Sequence, residues 1–192
     1  AGQADELRRS RLTVFFSLLL FVPHLVWIVL WGIAALLAAV VAWFAALVTG
    51  RVPDPLHRFL SAYVRYTVHV GAFLYLVGGK FPGFTGRAGS YGVDVQIASR
   101  APQSRWKTLF RLFLGFPAFL ISGAFGTVAF VIAFLGWFYA LVMGRMPEGL
   151  RNLGASCFRY HAQATAYVLL VTDTYPYATP VLRDRRPASR RR

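Results

Sequence analysis

Trp43-Phe44-Ala45-Ala46-Leu47-Val48-Thr49-Gly50-Arg51-Val52-Pro53 returns 94 positions later as Trp137-Phe138-Tyr139-Ala140-Leu141-Val142-Met143-Gly144-Arg145-Met146-Pro147. Outward from this stretch, residues 10–85 lie on residues 104–179 without a gap, and about a third of the positions are identical. A match of that length means one unit built twice, so whatever both copies keep is a candidate for shared physics. The stretch itself reads as the end of one helix and the start of the next. Gly50 and Gly144 stop a helix, and Arg51 and Arg145 put a cation at its C-terminal dipole. Pro53 and Pro147 open the following helix, with Asp54 or Glu148 suited to its first turn. The expectation is a tight helical hairpin in each copy.

The chain is 57% hydrophobic and only 15% charged, well below the roughly one quarter expected of a soluble domain. Residues 12–48 carry no ionisable group except His24. A run this long exceeds the roughly 18 apolar residues that mark a transmembrane helix. It is also too long for a signal peptide, and its like recurs mid-chain. The fold class expected is therefore an all-α integral membrane protein. The formal net charge of +14 does not point to nucleic acid, because the basic residues flank helices instead of interleaving with aromatics on one surface. The single cysteine, Cys157, rules out an intrachain disulfide, and Tyr63 stands at its place in the first copy.

As one helix, residues 12–48 would be roughly 55 Å long against a hydrocarbon core of about 30 Å. Pro23 is the natural divider, since proline removes a helical hydrogen bond and clashes with the preceding turn. The first repeat, 10–85, is thus expected to hold an interfacial amphipathic helix at 9–22, a span at 25–49 and a second span at 55–78. The second repeat, 104–179, repeats this with Pro117: an interfacial helix at 105–116 and spans at 119–143 and 149–172. Residues 86–103 form a linker and 180–192 a basic tail.

Each first span carries small residues on one face: Gly32, Ala35, Ala39, Ala42 and Ala46, then Gly126, Ala129, Ala133, Gly136 and Ala140. The spacing of three and four is the same in both copies, and in lipid such a seam lets helices approach closely. The second helix of each copy has an apolar body with a polar stripe: Arg58, Ser61, Arg65 and His69, then Asn152, Ala155, Arg159 and Gln163. In the linker, residues 91–97 alternate apolar and polar with period two, the mark of a half-buried strand. A lone strand leaves backbone groups unpaired, so it pairs with a neighbouring chain or lies flat on a membrane surface.

Four spans put residues 1–10, the linker and the tail on one side. That side collects most of the 21 basic residues, among them Arg8, Arg9, Arg11, Lys80, Arg100, Arg105, Lys107 and the run from Arg183 to Arg192. The opposite side has Arg51, Arg58, Arg145 and Arg151. The positive-inside rule then sets both termini in the cytoplasm of a bacterial inner membrane, and an even count of spans makes the repeats parallel. The basic tail attracts anionic lipid, at about 1 kcal/mol per basic residue.

No catalytic constellation is visible. There is no paired carboxylate site, no serine elbow and no glycine-rich phosphate loop, and the four histidines lack metal-ligand spacing. The expectation is a non-enzymatic protein with no cofactor and no metal. Arg65 and Arg159 are the sharp exception, beside Tyr66 and Tyr160 and one turn before His69 and Gln163. An arginine at mid-membrane costs about 2.5 to 3.5 kcal/mol on insertion scales. No carboxylate within the expected spans can pair with either. Each guanidinium then bonds backbone carbonyls and a tyrosine across the copies, reaches lipid phosphate, meets an acid on a partner protein, or lines a hydrated anion path.

These motifs together carry a resemblance. They are the paired copies, the start at Ser104-Arg105-Trp106, the Trp-Phe…Gly-Arg-x-Pro hairpin, the Arg-Tyr helix, and the turn at Phe81-Pro82 and Tyr175-Pro176. Over nearly its whole length the chain resembles the bacterial membrane proteins classed as domain of unknown function 4389. The resemblance implies a multi-pass membrane protein, mostly of actinobacteria and relatives, with no established activity. It also implies a short strand ahead of each copy. Residues 91–97 fit one, and residues 1–10 do not fit the other, so that strand is lost or the chain is truncated. The function expected is an accessory or scaffold subunit of a membrane complex, in contact with other membrane subunits and anionic lipid. The alternatives are a small transporter or channel with intramembrane arginines, and an anionic-lipid-binding protein.

Overall fold

The computed structural model describes residues 11–74, 81–91, 94, 95, 97, 102–143 and 147–177, with side chains from Leu19 onward. The described residues form five helices and no strand: α1 (Arg11–Thr49), α2 (Asp54–Leu74), α3 (Arg105–Leu109), α4 (Arg111–Met143) and α5 (Glu148–Val168). Two of them contain stretches long and apolar enough to cross a membrane, Leu19–Thr49 and Arg111–Met143.

The expected break at Pro23 is absent. Helix α1 runs through it, and α4 runs through Pro117, so neither proline ends an interfacial helix. Proline costs a helix one hydrogen bond, and within long apolar helices that loss is tolerated. The break in the second copy comes earlier, at Phe110, between α3 and α4. It turns Arg111 into the protein interior. Tyr91, Asp94, Val95 and Ile97 carry no strand, and the other positions of the expected strand lie outside the described residues.

Helices α1 and α2 pack antiparallel, with His24 on Tyr66, Trp31 on Tyr63, and Gly32 against the Tyr63 hydroxyl. Helices α4 and α5 pack in the same way, with Gly115 on Val168, Ser122 on His161 and Ile132 on Gly154. Equivalent contacts recur in both copies. Trp31 meets Tyr66 at 5.2 Å and Phe125 meets Tyr160 at 5.1 Å, while Phe73–Phe81 and Tyr167–Tyr175 form matching edge-on ring pairs. The hydrophobic seam lies inside. Ala35, Ala42 and Ala46 are buried in the first copy, and Ala129, Gly136 and Ala140 in the second. Ala39 is buried and Gly32 and Ala133 are half-buried, whereas Gly126 is exposed.

The copies are inverted, not parallel. His57 on the first turn of α2 bonds the carbonyl of Val171 beyond the end of α5, and Gly71 near the end of α2 faces the Phe158 ring, midway along α5. Helices α2 and α5 therefore run in opposite senses, and so do α1 and α4. The linker makes this possible by running back along α2. Trp27 donates to the Phe84 carbonyl, Gly86 sits against Ala62, and the Gln103 amide donates to the Gly50 carbonyl at 2.9 Å. At the same end the Trp43 indole donates to the Thr108 carbonyl at 2.7 Å. Parallel copies with an even count of spans require a linker that stays at one end. Since it does not, the start of α1 and the end of α5 lie at opposite ends of the bundle, and the terminal residues whose side was expected, 1–10 and 180–192, lie outside the described residues.

At the end of α5, Leu170 adopts φ 59°, a conformation usually given to glycine. The Val171 amide bonds the Ala166 carbonyl and the Leu170 amide that of Tyr167, closing the helix. The left-handed backbone costs leucine about 1–2 kcal/mol. Its side chain is 2% exposed, in the same core as Ala35, Leu60 and Val64 of the first copy. Deleting such a side chain costs about 2–5 kcal/mol. Burial wins, so Leu170→Gly is expected to destabilise by roughly 1–3 kcal/mol despite relieving the backbone. Thermal unfolding of the detergent-solubilised variant reads the sign.

Candidate functional site

The polar groups of α2 and α5 gather where the two copies meet. Arg65 and Tyr66 stand midway along α2, Arg159 and Tyr160 midway along α5, because those positions are equivalent under the repeat. Antiparallel packing brings the two helix middles to one depth. There an acid from outside the expected spans reaches Arg65. Asp94 of the linker lies against α2, its Oδ1 3.5 Å from Arg65 Nε and 3.5 Å from His69 Nε2. These are ion-pair distances, not hydrogen bonds.

The linker backbone holds Asp94 in place. Its Oδ2 accepts from the Gly89 amide at 2.6 Å and its Oδ1 from the Val95 amide at 2.7 Å. Partial burial pushes its carboxyl up. The two amides, then Arg65 and His69, outweigh that and hold it below its ordinary value near 3.8. The stabilisation this gives is complete above that ordinary value and is lost as pH falls through the lowered one. Asp94 is a carboxylate at neutral pH.

Tyr66 does not face Arg159 across the copies. It is buried, and its hydroxyl shares a 2.6 Å hydrogen bond with His24 Nδ1. His24 stacks on Phe84 at 4.5 Å. Tyr160 is buried on Phe125, and Gln163 Oε1 accepts from the Tyr177 amide at 3.0 Å. Arg159 and Gln163 line a cleft between α2 and α5 that Asp94 also borders. The hairpin residue Gly50 has φ +71° and its amide bonds the Ala46 carbonyl, while Arg51 is exposed and the Pro53 carbonyl accepts from His57. Pro147 does the same for Arg151, and Gly144 and Arg145 lie outside the described residues.

A second cluster had no signal in the repeat. Arg111 is 1% exposed and is the largest fully buried side chain among the described residues. Its guanidinium donates to the carbonyls of Tyr167 and Thr172, to Gln103 Oε1 at 3.0 Å and to Asp173 Oδ1 at 2.7 Å, and it lies 4.6 Å from the centre of the Tyr167 ring. Gln103 in turn donates to the Leu170 carbonyl. Ser17 stands at the position of Arg111 in the first copy and Gly79 at that of Asp173, so comparing copies hides the pair. Its role is structural: it ties α4 to the end of α5. Among the described residues no three His, Cys, Asp or Glu side chains converge as metal ligands.

The sequence profile of the family described as Domain of unknown function (DUF4389) matches residues 11–85 and again 105–179. No curated protein and no solved structure matches the chain.

Proposed function

The chain belongs to the DUF4389 family, in two copies, and from that premise we propose an integral membrane protein that serves as a non-enzymatic subunit of a larger membrane assembly. Helices α1 and α4 turn their apolar sides to lipid. Leu37, Val48, Phe113 and Phe130 are all more than 60% exposed, while α2 and α5 expose only Phe59 and Leu153 among large apolar side chains. A helix apolar all round suits hydrocarbon and not water.

One observation carries the subunit reading. Gly86 and Asp94, non-helical residues of the linker, lie beside the middle of α2 at the depth of the apolar helices. Irregular backbone and a carboxylate do not face lipid at that depth. They are covered by protein or line a water-filled space. Arg87, Ala88, Gly89 and Ser90 are exposed on this face, which gives a covering subunit its seat.

A photo-crosslinking residue at Ser90, in native membranes, is expected to give a protein adduct of one defined mass, and the same residue at Leu37 lipid adducts only. The chain alone in liposomes is expected to pass no solute. The inverted copies and the mid-depth arginines favour a second reading, a small carrier. Absence of the Ser90 adduct, together with anion flux that falls on Arg65→Gln, would replace the first reading with the second.

A further inference from the structure

The polar stripe of α2 lines a cavity of about 490 Å³ between that helix and the returning linker. Arg58, Ser61 and Arg65 come from α2 at spacings of three and four, so they stand on one helical face. Thr85 and Arg87 come from the linker. Gly86, between those two, sits against Ala62, which holds Arg87 beside the stripe. Arg58 and Arg65 start roughly 10 Å apart along the helix, close enough for both side chains to meet one group between them. Ser61 stands at that point. It is 5% exposed, and its hydroxyl is buried with no hydrogen-bond partner. Such a group costs stability until something bonds to it. Asp54 also lines the cavity, Asp94 stands 3.5 Å from Arg65, and His57 turns its Nε2 to the Val171 carbonyl. Three guanidinium charges against two carboxylates leave the site cationic before any ligand arrives.

We propose that this cavity binds a phosphate group, carried by a lipid headgroup or free. The phosphate oxygens meet Arg58, Arg87 and the Ser61 hydroxyl. Arg65 keeps Asp94 and adds its charge through space, which counts for more in poorly solvated surroundings than in water. A phosphate spreads its acceptor oxygens tetrahedrally and takes several donors at once, whereas one planar fork fills a carboxylate. Arginines from two elements with a hydroxyl between them suit the phosphate. The second copy has Asn152 and Ala155 where the first has Arg58 and Ser61, so the site belongs to the first copy alone. The inference goes beyond the subunit reading and stands without it, because it needs no second protein.

The test uses the purified full-length chain in a neutral detergent, with two probes: a fluorescently labelled phosphatidic acid and radiolabelled inorganic phosphate. Saturable binding of at least one is expected. Lipid binding that inorganic phosphate fails to displace identifies a headgroup, and binding of inorganic phosphate alone identifies the free anion. Diacylglycerol has the chains without the phosphate, and palmitate has a carboxylate in its place. Both are expected to displace the lipid probe about tenfold more weakly than unlabelled phosphatidic acid does. Arg58→Gln, Arg87→Gln and Ser61→Ala are each expected to weaken binding about tenfold, the loss of one hydrogen bond to a charged group, with the circular dichroism spectrum unchanged. Arg51→Gln, at an exposed arginine outside the cavity, is expected to keep wild-type affinity. No saturable binding of either probe overturns the proposal on the wild-type protein alone. Displacement by palmitate or diacylglycerol as strong as by phosphatidic acid overturns it, and so does wild-type affinity in Arg58→Gln, Arg87→Gln and Ser61→Ala.

Discussion

Arg111→Met is expected to cost about 3–5 kcal/mol of stability, the range for breaking a buried ion pair by removing one partner. The reason is what stays behind. Asp173 would lose its 2.7 Å partner, Gln103 its 3.0 Å one, and the carbonyls of Tyr167 and Thr172 their donor. Lys107 lies 3.4 Å from Asp173 but is more than half exposed, so it cannot replace a buried guanidinium. Methionine matches the arginine stem in bulk, so the cost is electrostatic, not a cavity. Arg111→Lys keeps the charge and loses the fork, and is expected to retain part of the stability. Replacing Asp173 by leucine as well removes the stranded charge and should recover much of the loss. Unfolding midpoints in detergent of the wild type, Arg111→Met, Asp173→Leu and the double variant form a cycle that separates the pair from its neighbours. A cost below about 1 kcal/mol in Arg111→Met would show that the cluster does not hold α4 to α5.

Gly86→Ala is expected to be the most damaging change in the linker, at about 2–4 kcal/mol, from the left-handed backbone and overpacking together. Gly86 has φ +57°, and an added Cβ would fall on the Ala62 carbonyl and within 3.1 Å of Tyr66 Cβ. Neither neighbour can give way, since one is the backbone of α2 and the other is a fully buried residue. The linker must lift, and Asp94 leaves Arg65 and His69 with it. Trypsin cleavage after Arg87 in the native protein reads the detachment directly. Gly83 has open space at its Cβ position, so Gly83→Ala is the control and is expected to stay within about 0.5 kcal/mol. Equal cleavage rates in the two variants would count against a linker seated on α2.

Much of the architecture is legible from spacing, because spacing is a local property. The hairpins, the two copies and most of the small-residue seam follow from punctuation and helical period, and the buried set Ala35, Ala42, Ala46, Ala129, Gly136 and Ala140 lies on that face. The relative sense of the copies is not legible. A gapless repeat is the same sequence whether its second unit stands upright or upside down, and the route of the linker decides between them. That route depends on contacts such as Gly86 with Ala62 and Gln103 with Gly50, between residues far apart in the chain. The period-two pattern of residues 91–97 says nothing of what the segment lies on, so it does not match Asp94 to Arg65. Looking for residues kept in both copies finds Arg65 and Arg159 and passes over Arg111, Asp173 and His24, whose counterparts are Ser17, Gly79 and Ala118.

The reversed sense of the two halves bears on how such a gene arose. Before duplication, a single unit could build this interface only by meeting a sister molecule the other way up, which requires a peptide without a fixed orientation. A connector long enough to travel the height of the bundle makes each half's direction permanent. Either half of such a fused chain is free to carry features of its own, and the arginine at position 111 and the histidine at position 24 each stand in one half alone.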